Sequence, residues 1–176
     1  GLIGVSTATL PTGYVARTIT TATNGFIFGP RLSIQSATLT GVDLSGVTLT
    51  SANFTSSNFT NANLANADIS GAIFTTTTLT GLRSGGLIGG TTATLKTGYI
   101  VRNTGGASGT GFMIGAGVNL AGADLSGIDM SGIVLTSTDF QNANMTNTSL
   151  RNATLTTANL SGANITGILT GGITGL

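Results

Sequence analysis

The sequence contains no cysteine, histidine, tryptophan or glutamate, only two prolines, and 6% charged residues in a length of 176. Without cysteine there is neither a disulfide framework nor a thiolate metal site, so packing and hydrogen bonding must hold any fold. Without histidine, cysteine or glutamate the usual catalytic bases and nucleophiles are missing, and no enzyme activity, cofactor or metal is expected. No apolar run approaches the roughly 18 residues that span a bilayer, and no basic stretch followed by an apolar one opens the chain. Membrane insertion is not expected. The net charge is +1, with no cluster of Lys and Arg to meet phosphates, so nucleic acid is not an expected partner. What is present is apolar or small: 40% hydrophobic residues and 28 glycines, too much apolar material for a solvated coil. The chain should fold.

A large apolar residue recurs at every fifth position from Ile34 through Leu39, Leu44, Leu49 and Phe54 to Leu79, and again from Leu120 through Leu125 to Ile165. Two places before each stands Ala in ten cases and another apolar residue in six; Ser57, Thr77, Thr138 and Thr148 depart. The residue between is polar except at Ile73 and Val134. Residues two apart in extended chain share a face, so each unit contains a short strand step with two inward side chains. The two remaining residues, mostly Gly, Ser, Thr or Asn, suit a corner. A chain that steps and turns repeatedly coils on itself and stacks each coil on the last, which is a solenoid.

The units Ala62-Asn-Leu-Ala-Asn, Ala67-Asp-Ile-Ser-Gly, Ala123-Asp-Leu-Ser-Gly and Ala158-Asn-Leu-Ser-Gly resemble pentapeptide repeats of the A(D/N)LXX type. The resemblance covers residues 32–81 and 118–167. It implies an all-β, right-handed quadrilateral β-helix (a β-solenoid) with four units per coil, here as two pentapeptide-repeat segments joined by β-hairpin-like linkers. Residues twenty apart then stack, placing Phe54 under Phe74, Leu39 under Phe59 under Leu79, and Leu120 under Phe140 under Leu160. Some proteins of this family mimic DNA and bind type II topoisomerases, which demands a strongly negative surface; a net charge of +1 argues against that use.

A second period of about 86 residues encloses the first. Residues 2–4 recur at 87–89, Thr12-Gly-Tyr14 as Thr97-Gly-Tyr99, Arg17 as Arg102, Phe26 as Phe112, Gly29 as Gly115 and Asp43 as Asp129. The expected division is a linker and hairpin module at 1–31, a prism at 32–82, a second linker and hairpin module at 83–117, a second prism at 118–168, and the start of a third linker at 169–176. Whether the linkers continue the solenoid or lie on its flank stays open. The first residue is Gly rather than Met, and residues 173–176 match 87–90, so a segment of a longer tandem array is expected.

Few residues could carry chemistry. The five carboxylates, Asp43, Asp68, Asp124, Asp129 and Asp139, all occupy the outward slot and are expected as solvated surface groups; Asp124 and Asp129 spell no oxygen cage for Ca²⁺. Paired glycines such as Gly85-Gly86 and Gly105-Gly106 are turn residues, since no phosphate-loop pattern surrounds them. Seven Asn-X-Ser/Thr sequons begin at Asn53, Asn58, Asn144, Asn147, Asn152, Asn159 and Asn164, most of them on the outward slot. They are candidate glycosylation sites, although the repeat itself generates the pattern. The leading functional expectation is a structural protein: a component of a fibrous rod or filament, extracellular or at the cell surface, whose main partner is itself through end-to-end assembly. The alternative is a segment of a large surface adhesin whose linker hairpins, with Tyr14, Tyr99, Arg17 and Arg102, bind a partner or glycan.

Overall fold

The computed structural model describes residues 9–18, 25–104 and 110–175; the expectations attached to residues 2–4, 105–106 and 176 lie outside them. The five-residue unit is resolved atom by atom. In the unit around Thr38, the inward Ala37 and Leu39 flank an outward residue whose backbone bridges the next coil at Asn58. Asn58 N–H donates to Ala37 O and Leu39 N–H to Asn58 O, both at 2.8 Å. The corner follows as a β-turn, with Val42 N–H donating to Leu39 O at 3.2 Å and Gly41 at φ 68°. That third turn position demands a left-handed backbone, which is why Gly and Asn crowd it.

Parallel bridges link residues twenty apart from Ser33–Asn53 to Asp68–Ile88, and again from Asn119–Asp139 to Thr154–Thr174. Four units therefore close one coil, giving the right-handed quadrilateral β-helix. No helix interrupts it among the described residues. The inward columns form the core: Leu39, Phe59 and Phe140 are fully buried, and Leu79 and Leu120 nearly so. The Phe54 and Phe74 rings stack at 5.2 Å and 28°, while Phe59 meets both rings edge-on at 5.1 and 5.6 Å. Ala at the second inward position leaves room for these large groups at close-packed density.

The four inward positions that break the apolar rule are buried and satisfied. Ser57 Oγ donates to Ile34 O at 2.6 Å and accepts from Ala37 N–H at 3.2 Å, so the hydroxyl bridges the two groups that make the direct turn bond at other corners. Thr77 donates to Phe74 O, Thr138 to Gly115 O and Thr148 to Leu125 O, at 2.6, 2.9 and 2.9 Å. A hydroxyl buried without such a partner would cost about 1–3 kcal/mol.

Two antiparallel hairpins project from the coil. Strand β1 (Val15–Thr18) pairs with β2 (Gly25–Phe28), and β3 (Ile100–Asn103) with β4 (Gly111–Ile114). Their registers match, Arg17 facing Phe26 as Arg102 faces Phe112. The second linker does both things left open by the sequence. The coil runs on past residue 82 through bridges Asn63–Arg83, Asp68–Ile88 and Ile73–Thr94, then the chain leaves as the second hairpin and re-enters with Asn119 bridged to Arg83. Strand β4 is the seam: Met113 packs into the first core and Ile114 into the second.

Candidate functional site

The outward slot carries most of the polar chemistry, and its geometry is an Asx turn. In each case the Asn or Asp side-chain oxygen accepts from the backbone N–H two residues on, which holds the corner. Asn53 Oδ1 accepts from Thr55 N–H at 3.0 Å and from its hydroxyl at 2.6 Å. Asn58 does the same with Thr60, Asn144 with Thr146 and Asn164 with Thr166. A Ser or Thr two places after Asn adds a hydroxyl bond to a turn that Ala65 and Ala121 make with the backbone N–H alone, independently of any sugar. Asn147 and Asn152 differ from the other sequon residues: they stand at corners, at φ 57° and 56°. Asn159 and Asn164 are exposed on the last coil, whereas Asn53, Asn58 and Asn144 are half-buried.

The carboxylates use the same turn, and Asp43, Asp68, Asp124 and Asp129 are held below their ordinary value. For Asp43 the Ser45 backbone N–H is the main cause, with Arg17 adding to it. The hydroxyl and N–H of Ser126 act on Asp124, and those of Ser131 on Asp129. At Asp68 partial burial pushes upward, but hydrogen bonds from Ser70 and Thr50 outweigh it. Amide donors from the coil above reach three of the carboxylates: Asn63 to Asp43 at 3.1 Å, and Asn144 to Asp124 and Asn159 to Asp139 at 3.0 Å. Asp124 and Asp129 occupy successive units, and no group of three or more candidate ligands gathers for a metal among the described residues.

The hairpin residues singled out for partner binding are engaged within the chain. Tyr14 hydroxyl donates to Pro30 O at 3.1 Å and Tyr99 hydroxyl to Ala116 O at 2.6 Å, each tying the start of a hairpin to its exit. Arg17 Nε donates to Asp43 O and Arg102 Nε to Asp129 O, both at 3.0 Å, clamping the hairpin to the prism that follows. Gly29 and Gly115 leave the space that the two tyrosine rings fill; a methyl group at either would collide with the ring. The recurrence of these glycines 86 residues apart and of the tyrosines 85 apart was the trace of the seat in the sequence.

The last coil differs from its counterpart in the first unit. Ile165 is 50% exposed where Leu79, 86 residues earlier, is 1% exposed, and Leu169 is 47% exposed. At the other end, an apolar cleft is lined by Leu10, Pro11, Tyr14, Phe26, Leu32 and Ile34. Among the described residues no helix is long and apolar enough to cross a membrane.

No curated protein matches the sequence. Among solved structures, the chain is similar to the pentapeptide repeat protein Rfr23 from the cyanobacterium Cyanothece 51142, at 19% identity and TM-score 0.36, over 83% of this chain and 89% of that one. It is also similar to a pentapeptide repeat protein of the Arabidopsis thaliana thylakoid lumen, at 26% identity and TM-score 0.25, over 76% and 64% of the two chains. A third is HetL, involved in heterocyst differentiation regulation in Nostoc sp. strain PCC 7120, at 18% identity and TM-score 0.21, over 82% and 87%. The family model for pentapeptide repeats matches eight copies across residues 37–75, 116–152 and 134–168, more than half of the chain. The chain belongs to the pentapeptide repeat family.

Proposed function

We propose that this chain is a structural protein, a component of a rod or filament built from end-to-end stacked pentapeptide-repeat units, at work outside the cell or on its surface. The observation that carries this reading is the seam between the two units. The second prism grows directly on the first through the Arg83–Asn119 bridge and the antiparallel Leu87–Gly111 bridge, so one 86-residue unit is a platform for the next. A contact of this head-to-tail kind does not close on itself and adds length indefinitely. A nearly neutral surface of amides and hydroxyls suits such a rod, and the seven sequons supply places for sugar. The adhesin reading has less support, because the tyrosine hydroxyls and arginine Nε groups that motivated it serve the hairpins themselves.

Sedimentation and negative-stain microscopy of the chain over a range of concentrations test the proposal. Elongated particles whose length grows with concentration are expected. Monodisperse monomers at every concentration would overturn it. Intact mass of native material, against 17.3 kDa for the bare chain, reports attached sugar in the same samples.

A further inference from the structure

We infer that the last coil and the first hairpin are two halves of one joint, so that a second copy of this chain seats its β1–β2 hairpin on residues 165–174. The inference rests on the rod reading above and names its contact. The occupant is specified because the same joint already exists once inside the chain, between the end of the first prism and the β3–β4 hairpin.

That internal joint has four parts. Ser84 Oγ accepts from Met113 N–H at 3.0 Å and donates to Met113 O at 3.3 Å. Leu87 and Gly111 exchange two backbone hydrogen bonds, each 3.0 Å. The Phe112 ring lies over Gly85, 3.1 Å from where a methyl group there would sit. The ladder then resumes, with Gly81 N–H donating to Gly117 O at 2.6 Å and Asn119 N–H to Leu82 O at 2.9 Å.

Each part has a counterpart toward the two ends of the described coil. Eighty-six residues on, Ser84 becomes Thr170, Gly85-Gly86 becomes Gly171-Gly172 and Leu87 becomes Ile173, keeping hydroxyl, glycine pair and apolar residue in place. Eighty-six residues back, Gly111, Phe112 and Met113 become Gly25, Phe26 and Ile27. The positions that contribute only backbone, Gly117 and Asn119, become Arg31 and Ser33. Burial differs between the internal joint and its counterparts. Met113 is fully buried in the first core and Val118 in the second, whereas their counterparts Ile27 and Leu32 are half-open beside the apolar cleft. Leu87 is fully buried while Ile173 is half-open, and nothing lies within 4 Å of a methyl group placed on Gly171. Joining the halves covers apolar surface on both sides and pairs the outer backbone groups of this coil.

The test uses the whole chain, whose lack of cysteine means that only introduced thiols can pair. Leu169 and Ser33 correspond to the bridged pair Arg83 and Asn119, and both are exposed. Parallel neighbours lie at about 4.8 Å, within the span of a disulfide. A mixture of Leu169→Cys and Ser33→Cys chains is expected to crosslink on oxidation, and Leu169→Cys with Thr38→Cys, one face round the coil, is not. Gly171→Trp puts a bulky ring at the seat proposed for Phe26, at a position where an added Cβ meets nothing within 4 Å in the single chain, and should weaken association on the order of tenfold while leaving thermal unfolding of the dilute chain unchanged. Assembly with neither register-specific crosslinking nor sensitivity to Gly171→Trp would overturn this joint and leave the rod reading standing. A chain that stays monomeric throughout overturns both.

Discussion

Threonine is an awkward occupant of a left-handed corner, because its branched side chain crowds the preceding carbonyl at positive φ. Thr76 and Thr157 both sit there, at φ 56°. At the matching corners Asn142, Asn147 and Asn152 hold the same backbone at φ 56° or 57° with a side chain that tolerates it. Thr157 recovers part of the cost through its hydroxyl, which donates to Thr156 O at 2.7 Å and meets Ser137 Oγ at 2.8 Å on the coil below. The penalty for a left-handed residue is roughly 1–2 kcal/mol, and an exposed hydroxyl pair offsets about half of that or less. Thr157→Asn should therefore stabilise the chain by about 0.5–1 kcal/mol. A higher urea midpoint at unchanged m-value is the expected reading. A lower midpoint would mean that the stacked hydroxyls outweigh the backbone strain.

At the scale of the element, each hairpin is held by a tyrosine seated over a glycine and an arginine laid on the prism. Removing the Tyr99 hydroxyl deletes its bond to Ala116 O, so Tyr99→Phe should cost about 1 kcal/mol. Gly115→Ala should cost more, about 1–3 kcal/mol, since it displaces the ring itself. Burial also raises the Tyr99 phenol above its ordinary 10.0, meaning that the folded chain favours the neutral form. The stabilisation this represents is complete below pH 10 and is lost as pH rises through the folded value. The chain has only two tyrosines, so absorbance titration of the Tyr14→Phe variant reads Tyr99 alone. An ionisation at or below 10 would contradict the seat. Much of this element was legible in the sequence. Burial writes itself into residue type, so the fives announced the faces and the core, and the hairpins were legible as linkers lying outside that pattern. The arginine clamps were not legible, because their acceptors are the backbone carbonyls of Asp43 and Asp129, and a carbonyl has no side-chain identity. Nor were the hydroxyl bridges at Ser57 and Thr138, which reach a carbonyl 23 residues away on the coil below. The seam was hidden for a related reason: Arg83 meets Asn119 across a hairpin excursion, and nothing local marks either residue.

For the whole molecule, stability comes from stacking coils, and charge contributes little. With no histidine, cysteine or glutamate, no side chain has an ordinary pKa between about 5 and 8. Folding should therefore be insensitive to pH across that interval. The acidic limit follows from the aspartates. Asp43, Asp68, Asp124 and Asp129 are all lowered below 3.8 by the hydrogen bonds of their corners, so the folded state binds protons less readily than the unfolded one. Their contribution is complete above the unfolded value and fades as pH falls through the folded values, below about 3.8. It is small at each site, because these carboxylates lie near the surface where water screens them. The expected melting profile is flat from about pH 5 to pH 8, with a shallow decline only below pH 4. Replacing the four aspartates by asparagine, which keeps the Asx-turn acceptor while removing the charge, should abolish that decline without lowering the plateau. A steep transition between pH 5 and pH 7 in the unmodified chain would be incompatible with a solenoid held by neutral ladders and buried hydrocarbon.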